Sequence, residues 1–255
     1  MDIGLPLVVI VVILAVSFDF INGFHDTANA IATTVSTKAL PPRVAVILAA
    51  VMNFIGALMF TGVAKTIGGK IADPTTLEFG VIVVIATLVA AIAWNLITWW
   101  FGIPSSSSHA LIGSLVGAVI ASAGLGSINW SGFAEIFRGL IFSPIFALVL
   151  GFLLMNLVYL IFRRIAAPPS KVNRGFRYFQ ILTASLQAFT HGTNDAQKAM
   201  GIIVFALVAA GLQEDAGHIP FWVQFICALA MGLGTSVGGW KIIKTVGAKI
   251  TKIKP

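Results

Sequence analysis

Three polar segments stand out against an apolar background, and each has residue types and spacing that could do chemistry. In the first, Asn22, Asp26, Asn29 and Thr33 follow one another at steps of four, three and four, which places them on one face of a helix. An Asp at the centre of a membrane span costs about 2.5–3.5 kcal/mol on insertion scales, so it persists where it faces a cavity, an ion or a partner. Asn and Asp oxygens suit a hard cation such as Na+, by analogy with other oxygen-ligand sites, and a carboxylate can carry a coupling proton instead. The blander reading is hydrogen-bonded glue between helices; four aligned polar groups in a recurring pattern weigh against it. In the second segment, Gln187, His191, Asp195 and Lys198 again share a face. Lys198 could simply neutralise Asp195 as an i,i+3 pair, or it could supply positive charge near an anion.

The third segment reads Gly102-Ile103-Pro104-Ser105-Ser106-Ser107-Ser108-His109 and precedes an apolar helix. Pro104 stops the helix before it, and the serines can cap the one after. Free amides at a helix start, beside four hydroxyls, form a charge-neutral anion cradle into which phosphate oxygens fit. The bland alternative is an ordinary Ser-capped helix. Behind it, Gly113, Gly117 and Ala121 make a small-residue stripe that would let another helix pack closely. His25, His109 and His191 each sit in one segment, which raises a metal site or a proton relay. No pair has the spacing of a metal-binding helix, which argues against zinc. His218 falls in a polar loop. Asp19 and Glu78 fall near predicted helix ends, where charge is cheaper, and are assigned no role.

Membrane-spanning helices are the elements that would position these groups. Only 10% of the 255 residues are charged and 58% are hydrophobic, against about 25% charged in a soluble domain. Apolar stretches of spanning length run over about 5–21, 44–64, 79–101, 140–162, 179–212 and 221–240. Residues 27–37 read as the second half of an interrupted helix, and 105–123 as a helix too polar at its start to be an ordinary span. Pro41-Pro42, Gly68-Gly69, Asp73-Pro74 and the stretch 124–132 break the pattern. The net charge is +7, yet ten basic residues lie in two clusters after apolar stretches: Arg163, Arg164, Lys171, Arg174, Arg177, and Lys241, Lys244, Lys249, Lys252, Lys254. That is the pattern of cytoplasmic loops rather than of a nucleic-acid surface, with the Gln213-Glu214-Asp215 loop facing out. Cys227 is the single cysteine, so no intrachain disulfide is expected, and it reads as a small buried hydrophobe. The N-terminus lacks a basic n-region, so the first apolar stretch reads as a retained span.

The chain also repeats itself. Gly23-Phe24-His25-Asp26-Thr27-Ala28-Asn29-Ala30 aligns with Gly192-Thr193-Asn194-Asp195-Ala196-Gln197-Lys198-Ala199. Paired interrupted segments in two halves point to a binding site near the bilayer midplane. An intramembrane hydrolase is disfavoured, because there is no Gly-x-Ser-x-Gly elbow. No nucleotide-binding loop supports ATP-driven transport.

At these segments the chain resembles the inorganic phosphate transporter (PiT) family. The family hallmark is a repeated Gly-x-Asn-Asp-x-x-x-Ala element, matched from Gly23 and from Gly192, and a Pro-x-Ser-x-x-His element is matched by Pro104 to His109. The resemblance implies cation-coupled phosphate uptake through two inverted repeats. It implies that Asp26, Asn29, Asn194 and Asp195 handle the coupling cation and part of the phosphate, and that Ser105 to Ser108 hold phosphate at the tip of a helical hairpin; Asn22, on the same helix face as Asp26, is a further candidate for the cation. The coupling ion is left as H+ or Na+. Two departures are visible: His25 stands where the family has its first Asn, and no second Pro-x-Ser-x-x-His precedes Pro255, which leads us to expect a C-terminally truncated chain.

The expectation is therefore an all-α, polytopic transmembrane bundle with inverted-repeat organisation, interrupted helices and a re-entrant hairpin over 102–123. Residues 1–162 form the first repeat, 163–178 a basic cytoplasmic linker, and 179–255 the start of the second repeat. Function is expected to be phosphate symport in a bacterial plasma membrane, with no enzymatic activity, no cofactor, no metal beyond a transported Na+, no nucleic-acid partner, and room for a homo-oligomer. An anion near Asp26 and Asp195 would be repelled until a cation or proton neutralises them. The alternatives are transport of another oxyanion such as sulfate, or a non-transporting membrane scaffold or accessory subunit.

Overall fold

The computed structural model describes residues 4–62, 64, 80–163, 169–215 and 217–246. Its helices are α1 (Gly4–Ser36), α2 (Pro42–Met59), α3 (Gly80–Phe101), α4 (Ser107–Ala123), α5 (Trp130–Phe162), α6 (Pro169–Ala209), α7 (Phe221–Val237) and the short α8 (Trp240–Lys244), with one 3-10 turn at Leu125–Ser127. No strand occurs among the described residues. The second stretch of the expected turn signals, Gly68-Gly69 and Asp73-Pro74, lies outside them, as do Glu78, Arg164, Lys249, Lys252 and Lys254.

Among the described residues, four helices are long and apolar enough to cross a membrane: Leu5–Ser36, α2, α3 and α5. The 33 residues of α5 reach about 50 Å at 1.5 Å per residue, more than the hydrocarbon core needs. None of its most apolar 18-residue window is buried, and Phe146, Leu148, Phe152 and Met155 stand open on it. In water such a surface would drive aggregation; in lipid it is the solvated face. α6 carries its polar segment through its middle, and its first turns hold Lys171, Arg174 and Arg177. The basic segment expected as a linker is thus helical from Pro169 onward.

Both repeat segments differ from expectation in the same way. α1 runs unbroken through Gly23–Ala30, and α6 unbroken through Gly192–Ala199, so neither helix is interrupted there. The glycines serve close approach instead. A Cβ on Gly23 would collide with the backbone of Met231 and Thr235 in α7, and a Cβ on Gly192 with the backbone of Asn53 in α2. Neither segment contains proline, and a helical glycine costs only about 1 kcal/mol relative to alanine, which backbone-to-backbone packing offsets.

These contacts define the bundle. Phe20 and Phe24 meet Gly234 and Gly239 in turn, so α1 and α7 lie parallel. Asn53, Gly56 and Ala64 meet Gly192, Phe189 with Thr193, and Gly201, so α2 and α6 also lie parallel. α1 and α6 are antiparallel, tied by Thr37 to Gln180 (2.6 Å) and by Asn22 to Asp195 (3.1 Å). On the other side of α1, Val11, Ala15 and Phe18 share a core with Val84, Leu88 and Ala91 of α3. α4 packs on α3. Among the described residues, nothing lies within 4 Å of a Cβ placed at Gly113 or Gly117 of its small-residue stripe. At the far end, Lys241 lies over the rings of Trp99 (4.7 Å) and Trp100 (4.1 Å), a cation–π contact.

Candidate functional site

The antiparallel crossing of α1 and α6 brings Asp26 and Asp195 together inside the bundle. The start of α4 closes over them. Pro104 keeps 103–106 out of helix, and Ser106 caps α4 by accepting the His109 N–H (3.3 Å). This aims the next residue, Ser107, inward. Its Oγ donates to Asp26 Oδ2 at 2.9 Å and lies 3.4 Å from Asp195 Oδ2, with the residue 1% exposed. One hydroxyl thus bridges the two carboxylates.

Each carboxylate has further partners. Asp26 Oδ1 faces His25 Nδ1 at 2.9 Å, and His25 Nε2 faces Thr98 Oγ1 at 3.0 Å. The Thr98 hydroxyl in turn donates to the Trp94 carbonyl at 2.9 Å, so a chain of hydrogen bonds runs from Asp26 through His25 to the backbone of α3. Asp195 Oδ2 accepts from Asn22 Nδ2 at 3.1 Å. Asp195 Oδ1 pairs with Lys198 Nζ at 2.8 Å. Among the described residues, Lys198 is the one buried Lys or Arg, so this pair is shielded from water and far stronger than a surface i,i+3 pair.

His191 completes the centre. Its Nδ1 lies 2.8 Å from Asn53 Oδ1, while Asn53 Nδ2 donates to Thr235 Oγ1 at 3.1 Å. The amide therefore turns an acceptor to His191, and Nδ1 carries the hydrogen. Nε2 is left pointing at Asp195 Oδ2 (3.4 Å) and Asp26 Oδ2 (3.9 Å). A bare lone pair aimed at two carboxylates is repulsive, so this point calls for a positive charge: a proton on Nε2 or a cation among the three. Ligand atoms of Asp26, His191 and Asp195 all lie within 4.8 Å of one another. One nitrogen and carboxylate oxygens form a mixed donor set that holds a proton or a hard cation and lacks the thiolates of a structural zinc site.

The candidates from sequence divide accordingly. Asn22, His25, Asp26, Ser107, His191, Asp195 and Lys198 converge. Asn29 is exposed; its amide sits 3.5 Å from Asp26 Oδ1 and its carbonyl accepts from Gln187. Asn194, Ser106 and His109 are exposed, and Asn194 has no side-chain hydrogen bond among the described residues. Ser105 accepts from Trp94 Nε1 at 3.0 Å, and Ser108 is half-buried. Thr33 is exposed.

Three participants were missed. Asn53 is an isolated polar residue within the apolar run of α2, and Thr98 is one of three polar residues in α3, with Thr87 and Asn95; polarity inside an apolar helix was the one available signal. Asp19 was placed near a helix end; it lies mid-helix, fully buried, with neither oxygen hydrogen-bonded. The error came from ending the first span near Ile21, whereas α1 continues to Ser36.

Continuous apolar helices crossing around paired carboxylates define a helical integral membrane protein. Comparison with known proteins sharpens this. Residues 22–255 match the model of the phosphate transporter family, and the chain belongs to that family. It is 65% identical, over its whole length and 76% of the relative's, to a Bacillus subtilis (strain 168) protein named "Probable low-affinity inorganic phosphate transporter". A Mycobacterium leprae protein of the same name is 48% identical, and there the chain spans 61% of the relative's length. The Escherichia coli "Low-affinity inorganic phosphate transporter PitB" is 37% identical over 220 residues, covering 75% of this chain and 44% of that protein. Among solved structures, "The sodium-dependent phosphate transporter" superposes with a TM-score of 0.77 at 22% identity, over 98% of this chain and 80% of that one; this likeness concerns the fold.

Proposed function

We propose that this chain carries inorganic phosphate across a bacterial plasma membrane by secondary, cation-coupled symport. The observation that carries the reading is the convergence of Ser107 Oγ, His191 Nε2, Asp26 Oδ2 and Asp195 Oδ2 at one buried point. Two carboxylates repel a phosphate strongly in a low-dielectric interior. A proton or Na+ held by Asp26, Asp195 and His191, with Asn22 behind them, removes that repulsion. Ser107 and the amides at the start of α4 then face the anion, and the exposed Ser106, Asn29 and Asn194 line the approach. Cation and phosphate each lower the cost of binding the other, which is thermodynamic coupling. Family membership and the relatives' names support phosphate as substrate.

The two halves, 1–162 and 179–255, are proposed as inverted repeats joined by 163–178. The antiparallel α1–α6 crossing and the matched roles of Gly23 and Gly192 support that organisation.

The test is uptake of labelled phosphate into liposomes holding the chain, with pH and Na+ varied separately and sulfate as competitor. Asp195→Asn should insert normally and abolish cation-dependent uptake. Unchanged dependence on both cations in that variant refutes the site, and equal competition by sulfate refutes phosphate selectivity.

A further inference from the structure

We propose that Asp19 is a proton-binding site distinct from the Asp26–Asp195–His191 centre, and that Lys198 links the two by pairing with one carboxylate or the other. This rests on the phosphate-symport reading and identifies a coupling ion for it.

The starting observation is an isolated acid. Asp19 is 0% exposed, and neither of its oxygens has a hydrogen-bond partner. The Cys227 thiol of α7 lies alongside it, itself fully buried. The surrounding core is apolar, with Ala15 and Phe18 from α1 and Cys227 and Met231 from α7. An ionised carboxylate held this way, with only a weakly donating thiol beside it and no cation in contact, costs several kcal/mol. A metal cation would need a shell of oxygen ligands, and a thiol among hydrocarbon does not supply one. A proton needs none.

The helix register shows what could ionise it. Moving back along α1 from Thr37 to Asp26 to Asn22 takes steps of eleven and four. The partners of these residues on α6, Gln180, His191 and Asp195, advance by the same eleven and four. The next step of three takes Asn22 to Asp19, and takes Asp195 to Lys198. Lys198 therefore lies opposite Asp19 at the antiparallel crossing, while its ammonium is turned to Asp195, 2.8 Å away. The titratable groups facing Asp19 are thus Lys198, Asp195 and His191 from α6 and Cys227 from α7. α3 contains no acidic, basic or histidine residue, and α2 contains only Arg43, in its first turn.

One buried ammonium thus serves two carboxylates. With Lys198 on Asp195, as seen, Asp19 has no counter-charge and holds a proton. With Lys198 on Asp19, the proton leaves and Asp195 needs another cation. An anion in the main site, near Asp195, holds Lys198 on that side and so keeps Asp19 protonated. Phosphate and proton occupancy then rise together, which is the sign a symporter requires.

The experiment measures protons taken up as phosphate binds to the chain in nanodiscs, by calorimetry in buffers of different ionisation heat. Infrared difference spectra report protonated carboxyl C=O stretches in parallel. Wild type should take up more protons with phosphate than Asp19→Asn does, by the fraction of molecules in which Lys198 had been paired with Asp19 and at most about one per phosphate, and Asp19→Asn should lack the corresponding C=O band. Equal uptake and identical bands in both proteins overturn the proposal. Lys198→Met is the second variant: with no ammonium to exchange, the Asp19 band should be present with and without phosphate, and a band that still appears only with phosphate overturns the exchange. If wild type binds no phosphate, the symport reading fails, and a pH-difference spectrum of the free protein still decides Asp19: an acid-side band removed by Asp19→Asn supports the proton site, and its persistence overturns it.

Discussion

Replacing Asn53 with Ala should weaken phosphate binding without touching a group that faces the substrate. Asn53 is fully buried on α2 and uses its carbonyl oxygen to hold His191 Nδ1 at 2.8 Å. Alanine is smaller, so the close approach of Gly192 to the Asn53 backbone survives. Thr235 loses one incoming hydrogen bond but keeps its own donation to the Met231 carbonyl at 2.8 Å, so its share of the cost is small. His191 is affected most, because its Nδ1–H is left buried and unpaired. That costs about 1–3 kcal/mol, or the ring turns to recover a partner and takes Nε2 away from Asp26 and Asp195. Binding then has to turn the ring back, at a cost no greater than this, so at 1.4 kcal/mol per factor of ten phosphate affinity should fall by up to roughly 5- to 150-fold. Calorimetric titration of phosphate into purified protein measures it, and the pH profile of binding should change as well. Asn53→Asp keeps an acceptor against His191 and should recover binding. Wild-type affinity and an unaltered pH profile in Asn53→Ala would show that His191 is not positioned through this amide.

Other substitutions separate the groups that converge from those that do not. Ser107→Ala removes a hydroxyl donated to a buried carboxylate, worth about 1.5–3 kcal/mol, and should raise the phosphate dissociation constant at least tenfold, whereas His109→Ala, at an exposed position, should leave it near wild type. The same titration distinguishes them, and equal effects would dissolve the distinction. Gly192→Ala forces a methyl into the Asn53 backbone and should cost about 1–3 kcal/mol or more, seen as a lower melting temperature in detergent. Gly113→Ala, with open space around it, should be neutral or up to about 1 kcal/mol stabilising through helix propensity.

Much of this site was legible before the structure because helix periodicity is local. Steps of three and four put Asn22 with Asp26, and His191 with Asp195 and Lys198, on common faces, and the cost of a buried carboxylate marked those faces as functional. Contacts between helices were not legible. Nothing in the sequence says that Asn53 lies beside Gly192, or that Thr98 meets His25. The serine run shows the same limit: four hydroxyls looked equivalent, yet the cap at Ser106 fixes the phase of α4 and sends Ser107 alone to the carboxylates. The repeat segments read as interruptions because polar residues break the apolar runs from Gly23 and from Gly192 onward. The missing side chains of these glycines are used instead by a neighbouring backbone, a tertiary fact that no spacing rule contains.

That use of glycine also limits how the bundle can rearrange. Where Gly23 and Gly234 face α7 and α1, and Gly56 and Gly192 face α6 and α2, carbonyls of one helix rest on the Cα atoms of the next. Sliding by a fraction of a turn would drive a carbonyl into a side chain, so each parallel pair behaves as a welded beam. Among the described residues α4 has no such seam at Gly113 and Gly117, where nothing lies within 4 Å of an added methyl. Movement of α4, held on α3 through Leu111 and Val119, would then carry Ser107 toward or away from the carboxylates while the parallel pairs stay fixed.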